Sequence, residues 1–422
     1  METERYNASF IRLAPNMPGV LYAPSTSSDK SRISVIAIHT GSDYLDHPIG
    51  PELAARGYTV LCANVSNRYG SLALKIKEVG FSMDYLRSRP GVEKVILMGH
   101  SGGGTLMSAY QNIAENGVQT FQGDEKLVKC PDFLAGLTPA DGFMSLDSNW
   151  GNGAMRLLSI DPAVIDERGG VFIDEELNMF NPANGFDPDG STYPDDFLMK
   201  FFNAQADRNN RLIDFALERL SVIDAGKGFY ADDEPMIMPG SMQIGFNNKL
   251  FPQDIRFLSR SRGEWPLIHR DGSATTGVVH TVRKPKNGAP LTGSFVRGAL
   301  NTTVKTFLVT HAVRALDGYG YDEAEVRGID WNSSYNCTCG NVAGVTAPML
   351  VLGMTANWEF AAAEMIYNNS GSSDKSLAYI EGADHDFRTA KSCERYEGEF
   401  GDTIKTTFDY VDKWLAAPGR FV

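Results

Sequence analysis

The segment with the clearest chemical potential is Met98-Gly-His-Ser-Gly-Gly-Gly104, which lies between an apolar stretch and a helix-like stretch. It fits the pattern Gly-x-Ser-x-Gly, with Gly99 and Gly103 on either side of Ser101. A serine on a tight turn from strand to helix has a strained backbone, and glycines two residues before and after it let the neighbouring chain pass. The free amides at the start of the following helix favour a developing negative charge. The segment therefore predicts that Ser101 is a nucleophile.

The same glycines could instead form a loop that binds phosphate through its backbone amides. The segment lacks the lysine of a P-loop, and it contains only one side of a dinucleotide-binding fingerprint. The nucleophile interpretation is therefore favoured over phosphate binding.

The elements that must position Ser101 can be predicted from the alternation of apolar and amphipathic stretches. Strands are expected at 33–38, 58–63, 94–98 and 133–137, and helices at 48–56, 71–88 and 102–115. Because parallel strands need crossover connections, this alternation predicts a mainly parallel sheet with helices on both faces.

The alternation stops near residue 142 and resumes near residue 345. Between them the chain is richer in Pro, Gly, Asp and Asn, with helices expected at 211–220 and 301–316 and a hairpin of 265–270 and 278–283 around a type I′ turn at Asp271-Gly272. Strands at 348–353 and 376–381 and helices at 360–368 and 403–415 complete the pattern. The sequence predicts a core of residues 1–142 and 345–422, interrupted by an insertion of residues 143–344.

These features resemble the α/β-hydrolase superfamily of serine hydrolases, over residues 10–142 and 345–418. The resemblance implies an α/β fold with a mainly parallel twisted sheet flanked by helices, a cap or lid formed by the insertion, and a triad in the chain order Ser, acid, His. His385 lies between a strand and the last helix, within Glu381–Phe387, and matches the histidine loop of that family. The resemblance therefore implies that His385 is the general base.

The acid of the triad has several candidates. The family's usual position, after the seventh strand, falls on Asn357, so this sequence departs from the pattern there. Glu359 is the first choice, because its longer side chain could reach the imidazole. Asp141, assigned to the end of the sixth strand, is the second choice, and Glu364 is the third. Each carboxylate could equally be an ordinary surface charge or helix-start residue.

The resemblance also implies an oxyanion hole built from two backbone amides. Gly102 would supply one, and Gly41 or Thr40, in the loop that follows the third strand, would supply the other. Local hydrogen-bonding, packing or other structural roles are expected for the remaining histidines, which are His39, His47, His100, His269, His280 and His311.

Composition limits the class of protein and its partners. The chain has 422 residues with 42% hydrophobic and 22% charged side chains, which is typical of a soluble globular protein, and its apolar runs are too short to span a bilayer. The net charge of −13 argues against nucleic acid as a partner. Five cysteines without zinc-ligand spacing argue against a metal site, and the lack of a secretory signal predicts a cytoplasmic protein. Serine hydrolase chemistry would need neither a metal nor an organic cofactor.

The leading functional hypothesis is a serine hydrolase that cleaves a carboxylic ester, lactone or related acyl bond of a small molecule through an acyl-enzyme. One alternative keeps the fold but makes the protein a carbon–carbon bond hydrolase or lyase, because a fold does not determine a reaction. Another is a non-catalytic receptor for a small ligand, which would require neither Ser101 nor His385. The oligomeric state stays open, with a homodimer among the candidates.

Overall fold

The computed structural model describes residues 5–168, 172–242, 248–286 and 298–421. The strands in these ranges are β1 (Tyr6–Ala14), β2 (Met17–Pro24), β3 (Ile33–His39), β4 (Thr59–Asn64), β5 (Lys94–Ser101), β6 (Gly142–Ser148), β7 (Pro235–Met238), β8 (Arg260–Ile268), β9 (Ala274–His280), β10 (Leu300–Thr303), β11 (Ala315–Tyr321), β12 (Val326–Ile329), β13 (Met349–Met354) and β14 (Lys375–Ile380). The α-helices are α1 (Ile49–Ala54), α2 (Leu72–Arg87), α3 (Gly103–Asn116), α4 (Asn152–Leu157), α5 (Asp195–Asp224), α6 (Val304–Thr310), α7 (Thr338–Asn341), α8 (Phe360–Asn369) and α9 (Thr403–Leu415).

Ten strands form one sheet in the order β1-β2-β4-β3-β5-β6-β13-β14-β8-β9. β2 runs antiparallel to both β1 and β4, whereas every pairing from β4 through to β8 is parallel. At the far edge β9 pairs antiparallel with β8. The fold class implied by the α/β-hydrolase resemblance, a mainly parallel sheet flanked by helices, is therefore confirmed.

The central strands are buried on both faces, which explains their nearly continuous apolar sequence. In β3, Ile36 and Ile38 join a cluster that includes residues of α2, α3 and α8, whereas Val35 and Ala37 join a cluster that includes residues of α1 and α9. The alternation of side chains along a strand thus supplies two cores, one on each face of the sheet.

Most of the expected elements of the core are present within a few residues of the predicted bounds, and α9 coincides with its prediction. The strand predicted at 133–137 is wrong. A short 3-10 helix, Asp132–Leu134, lies there, and the sixth strand is β6 at Gly142–Ser148. Ser145 and Asp147 interrupt the apolar pattern of β6, which hid it. The predicted boundary between core and insertion therefore falls at the start of a sheet strand.

The region predicted as an insertion also contributes to the main sheet. The hairpin of β8 and β9 is present, and β8 pairs with β14. Its turn is not type I′, because φ is positive at Gly272 but not at Asp271. The helix expected at 211–220 is part of the longer α5, and the one expected at 301–316 is replaced by β10, α6 and β11. Within the described ranges, every helix is either too short or too polar to cross a bilayer.

Candidate active site

Ser101 occupies the turn between β5 and α3, as the Gly-x-Ser-x-Gly pattern predicts. Its φ of 54° lies in the left-handed region, which a residue with a side chain rarely adopts. The cost of this backbone conformation is of the order of 1–3 kcal/mol, so the surrounding packing must impose it. This strain is what projects a side chain out of the end of a strand.

The packing that imposes this turn needs glycines. A Cβ on Gly99 would lie 2.6 Å from the Cα of Gly104, and one on Gly103 would lie 2.8 Å from the carbonyl oxygen of Ile38. A Cβ on Gly104 would lie 2.5 Å from the Cβ of Ser148, at the end of β6. These distances are too short for a Cβ atom. β3, β5 and β6 can therefore pack close to the turn only because the residues on either side of Ser101 are glycines without side chains.

The loop that carries His385 packs against His100, the residue next to Ser101. The Nε2 of His100 donates a hydrogen bond of 2.6 Å to the backbone oxygen of His385, and the two imidazole rings lie 4.5 Å apart between centroids. The Nδ1 of His100 accepts from the hydroxyl of Tyr44, which sets its tautomer. The expected packing role of His100 therefore consists of joining the nucleophile turn to the histidine loop.

The carboxylate that contacts His385 is Asp147, in β6, which the sequence analysis missed. Its Oδ2 accepts a hydrogen bond of 2.8 Å from Nδ1 of His385 and another of 2.8 Å from the side-chain amide of Asn357. Its Oδ1 accepts from the backbone N–H of Met354 at 2.9 Å. Asp147 is fully buried. Both of its oxygens are thus fixed, and one of them holds the imidazole.

Glu359, the first choice from the sequence, lies beside this pair without forming a hydrogen bond. Its Oε2 is 3.6 Å from Nδ1 of His385. Burial raises the pKa of Glu359 to about 7, against the opposing attraction of His385. Burial lowers the pKa of His385, but the charges of Glu359 and Asp147 outweigh it and raise the pKa to about 9. His385 therefore faces two carboxylates, of which Asp147 makes the hydrogen bond.

The other two candidate acids, Asp141 and Glu364, bind groups other than His385. Asp141 precedes β6 instead of following it, and it binds Arg87 and Lys94 at the opposite end of the strand from Asp147. The cause is the misassigned sixth strand, because the family's alternative acid position is the end of that strand. Glu364 accepts hydrogen bonds from the backbone amides of 262 and 263 and from the indole of Trp265. A correct assignment of β6 would have pointed to Asp147.

The residues expected to form the oxyanion hole lie together. A Cβ on Gly102 would lie 2.8 Å from Oγ1 of Thr40 and 3.1 Å from Nε2 of His39, so the Gly102 backbone packs directly against the loop after β3. The amide of Gly41 donates to Nδ1 of His39 at 3.0 Å, as does the amide of Ser42 at 2.8 Å. Since the Gly41 amide is engaged, Thr40 is the better candidate for the second donor.

Three further histidines surround the site in neutral form. Burial lowers the pKa of His39 to about 3 and that of His47 to about 4, and it lowers the pKa of His100 well below its usual value. The ring of His47 stacks on Tyr44 with 4.4 Å between centroids. These imidazoles act as packing and hydrogen-bonding groups, as expected for His39 and His100, and His385 is the histidine of this cluster that gains a proton readily.

The ligand atoms of Asp147, Glu359 and His385 lie within 4.8 Å of one another, so this trio could also hold a metal ion. The side-chain NH2 group of Asn357 is directed at Oδ2 of Asp147 and lies 3.1 Å from Nδ1 of His385. A hydrogen-bond donor in that position supplies the positive end of a dipole to the carboxylate. The arrangement favours a carboxylate–imidazole pair over a cation site.

Comparison with known proteins finds similar solved structures, but no model of a protein family and no curated protein sequence matches the chain. The siderophore hydrolase EstB from Aspergillus fumigatus has 11% identity and a TM-score of 0.45, covering 99% of this chain and 98% of its own. Est1E from Butyrivibrio proteoclasticus has 11% identity and a TM-score of 0.41, covering 97% of each chain. Brefeldin A esterase, a bacterial homologue of human hormone-sensitive lipase, has 12% identity and a TM-score of 0.38, covering 100% of this chain and 79% of its own. Because these identities and TM-scores are low, the functional proposal depends on the site geometry.

Proposed function

We propose that the chain is a serine hydrolase that cleaves a carboxylic ester, lactone or related acyl bond of a small molecule. In this proposal Ser101 is the nucleophile, His385 is the general base and Asp147 is the acid that orients the imidazole. The observation that carries the proposal is the strained backbone of Ser101, together with the loop of His385 that packs against this turn. His385 is itself hydrogen-bonded to the carboxylate of Asp147. A binding protein would need neither the strain nor the histidine.

The chemical steps follow from the hydrogen bonds of His385. Because Asp147 accepts a hydrogen bond from the N–H at Nδ1, the neutral imidazole keeps its proton there and presents Nε2 as a base. Nε2 takes the hydroxyl proton of Ser101 while the oxygen attacks the substrate carbonyl, and it then gives that proton to the leaving alcohol. A water molecule activated in the same way releases the acid from the acyl-enzyme. Asp147 stabilises the imidazolium in both halves of the reaction.

The oxyanion formed in each half reaction needs preorganised donors. The amide of Gly102, at the start of α3, is one candidate, and the amide of Thr40 is the other. The start of α3 adds the partial positive charge of the helix dipole at the same place. This assignment is supported by the close packing of Gly102 against Thr40.

The proposal is tested by covalent labelling with a fluorophosphonate and by turnover of 4-nitrophenyl butyrate. We expect the wild type to be labelled on Ser101 and the Ser101→Ala variant to be folded and unlabelled. Folded wild-type protein that neither reacts with the probe nor hydrolyses esters would overturn the proposal and favour a receptor.

Turnover of the carboxylate variants separates the candidate acids. Asp147→Asn should reduce kcat by about 10³- to 10⁴-fold, because an amide at this position favours the wrong imidazole tautomer. Glu359→Gln should have a much smaller effect at the pH optimum, and Asp141→Asn serves as the control with no effect. If Glu359→Gln loses as much kcat as Asp147→Asn does, the assignment of Asp147 as the sole orienting acid is wrong.

A further inference from the structure

A buried guanidinium, that of Arg156, forms no ion pair with a carboxylate of the described residues. Arg156, in α4, is 4% exposed. Its Nη1 donates to the backbone oxygen of Ser241, its Nε has no hydrogen-bond partner, and no acidic side chain of the described ranges forms an ion pair with it. The three internal segments outside those ranges, 169–171, 243–247 and 287–297, contain no Asp or Glu. A buried charge without an ionic partner is costly, so a structural role alone does not account for it.

Arg156 lies on the side of α4 that faces the nucleophile turn. Asn152, one helical turn earlier, has its Oδ1 3.4 Å from the position of a Cβ on Gly102. Residues four apart share a helix face, and side chains lean toward the helix N-terminus. Arg156 therefore shares a face of α4 with Asn152, with its Cα about one helical turn further along the helix.

The surroundings of Arg156 are positively charged as well. Lys249 is 1% exposed, and its pKa falls to about 7 because of burial and the nearby charge of Arg156. In the same segment, Asn248 and Gln253 are buried with both side-chain amide atoms lacking partners among the described residues.

We infer that Arg156 binds an anionic group of the substrate, such as a carboxylate, so that the preferred substrate is an ester with a negative charge about one helical turn from the scissile carbonyl. A guanidinium suits this role because it stays protonated when buried and can bind a carboxylate through two hydrogen bonds. The inference rests on the proposed ester hydrolysis, whose substrate class it specifies.

Two matched pairs of esters test it. 4-Nitrophenyl hydrogen adipate and 4-nitrophenyl hexanoate differ in having a carboxylate or a methyl group at the end of the acyl chain, and 4-acetoxybenzoate and 4-methylphenyl acetate differ likewise on the alcohol side. We expect wild-type kcat/KM to favour the anionic ester at least tenfold in one pair, which identifies the side that faces Arg156. That ratio should fall at least tenfold in Arg156→Met and fall less in Arg156→Lys.

Arg208→Met is the control. Arg208 is also a buried arginine, but it forms an ion pair with Glu167. Arg208→Met should therefore lower stability while keeping the wild-type ratio of kcat/KM between the anionic and the neutral ester. Binding without turnover is measured by titrating sodium adipate and sodium 4-hydroxybenzoate into Ser101→Ala by calorimetry, alone and combined with Arg156→Met. One of these anions should bind, and binding should weaken at least tenfold without Arg156.

Failure of the inference about Arg156 can be distinguished from failure of the proposed function. An enzyme that is labelled by the fluorophosphonate but shows no anionic preference in either pair would refute the inference and leave the proposed function intact. A preference that survives Arg156→Met would also refute it. Absence of labelling and of all ester turnover would refute the proposed function, and anion binding to Ser101→Ala would still decide the role of Arg156.

Discussion

At the scale of single residues, the protonation of His385 controls the proposed chemistry. Two carboxylates face its imidazole, one at hydrogen-bond distance and one at 3.6 Å, and together they stabilise its charged form. A charged imidazole cannot accept the serine proton. In the proposed mechanism, the negative charge of Glu359 therefore opposes catalysis at neutral pH, while Asp147 supports catalysis by orienting the imidazole.

The raised pKa of His385 predicts that kcat/KM reaches its maximum at alkaline pH. With the pKa of His385 raised to about 9, kcat/KM should rise as pH increases toward that value, because only the neutral imidazole is a base. In Glu359→Gln the midpoint should move to lower pH by about one unit or more, since a nearby negative charge is removed. The kcat/KM of a neutral ester measured from pH 5 to 10 checks this. Asp141→Asn should leave the midpoint in place, and an unmoved midpoint in Glu359→Gln would contradict the prediction.

Two of the three proposed site residues could be predicted from the sequence, and the third could not. Ser101 and His385 were identifiable because each lies in a local pattern of a few residues. Asp147 was not, because its importance depends on the pairing of β6 with β13, which brings it to Met354, Asn357 and His385. Glu359 was a reasonable candidate, since it does reach the histidine, but a difference of 0.8 Å between 2.8 and 3.6 Å separates a hydrogen bond from a neighbouring charge.

At the scale of elements, the nucleophile turn depends on close contact between backbones. Gly99 lies in β5 and Gly104 lies in α3, and no side chain separates them. This contact brings the start of the helix close to the strand, so the helix amides and the nucleophile share one point. The glycines are therefore required by the packing of β5 against α3.

Gly99→Ala should accordingly destabilise the protein by about 1–3 kcal/mol, the usual cost of adding a methyl group where there is no space. Gly277→Ala is the matched control, because a Cβ at that position in β9 would have no atom within 4 Å. It should change the free energy of unfolding by less than about 1 kcal/mol. Urea denaturation followed by circular dichroism measures both. Equal effects of the two variants would show that the close contact does not constrain the turn.

The elements show why part of the fold could be predicted. β3, β5 and β13 are buried on both faces and have unmistakable apolar sequences. β6 carries serine and aspartate, and its Asp147 belongs to the candidate active site, so its apolar pattern is interrupted. The hairpin of β8 and β9 was recognisable as a hairpin, but local sequence does not indicate that β8 pairs with β14.

At the scale of the whole molecule, the predicted insertion and the sheet share one hydrophobic core. The cluster on one face of the sheet contains Leu97 and Val351 from the sheet together with Phe201 of α5 and Tyr321 of β11. Side chains from both regions are buried against a common set of neighbours, so neither region keeps its core if the other unfolds.

We therefore expect the sheet and the inserted region to unfold in a single transition. Phe201→Ala should shift the urea midpoints measured by far-UV circular dichroism and by tryptophan fluorescence together, at a cost of about 3–5 kcal/mol. Phe215→Ala, at an exposed position of the same helix, should leave both midpoints nearly unchanged. Two separate transitions, of which Phe201→Ala shifts only one, would instead establish an independently folding cap.

The neutral imidazoles around the site have a spectroscopic consequence. His39, His47 and His100 are all held neutral by burial, so their ring proton resonances should not move across the physiological pH range. The resonance of His385 should move only on approach to about pH 9. Proton NMR spectra recorded over an alkaline titration would then distinguish the imidazole of His385 from these three and report its protonation directly, with or without a known substrate.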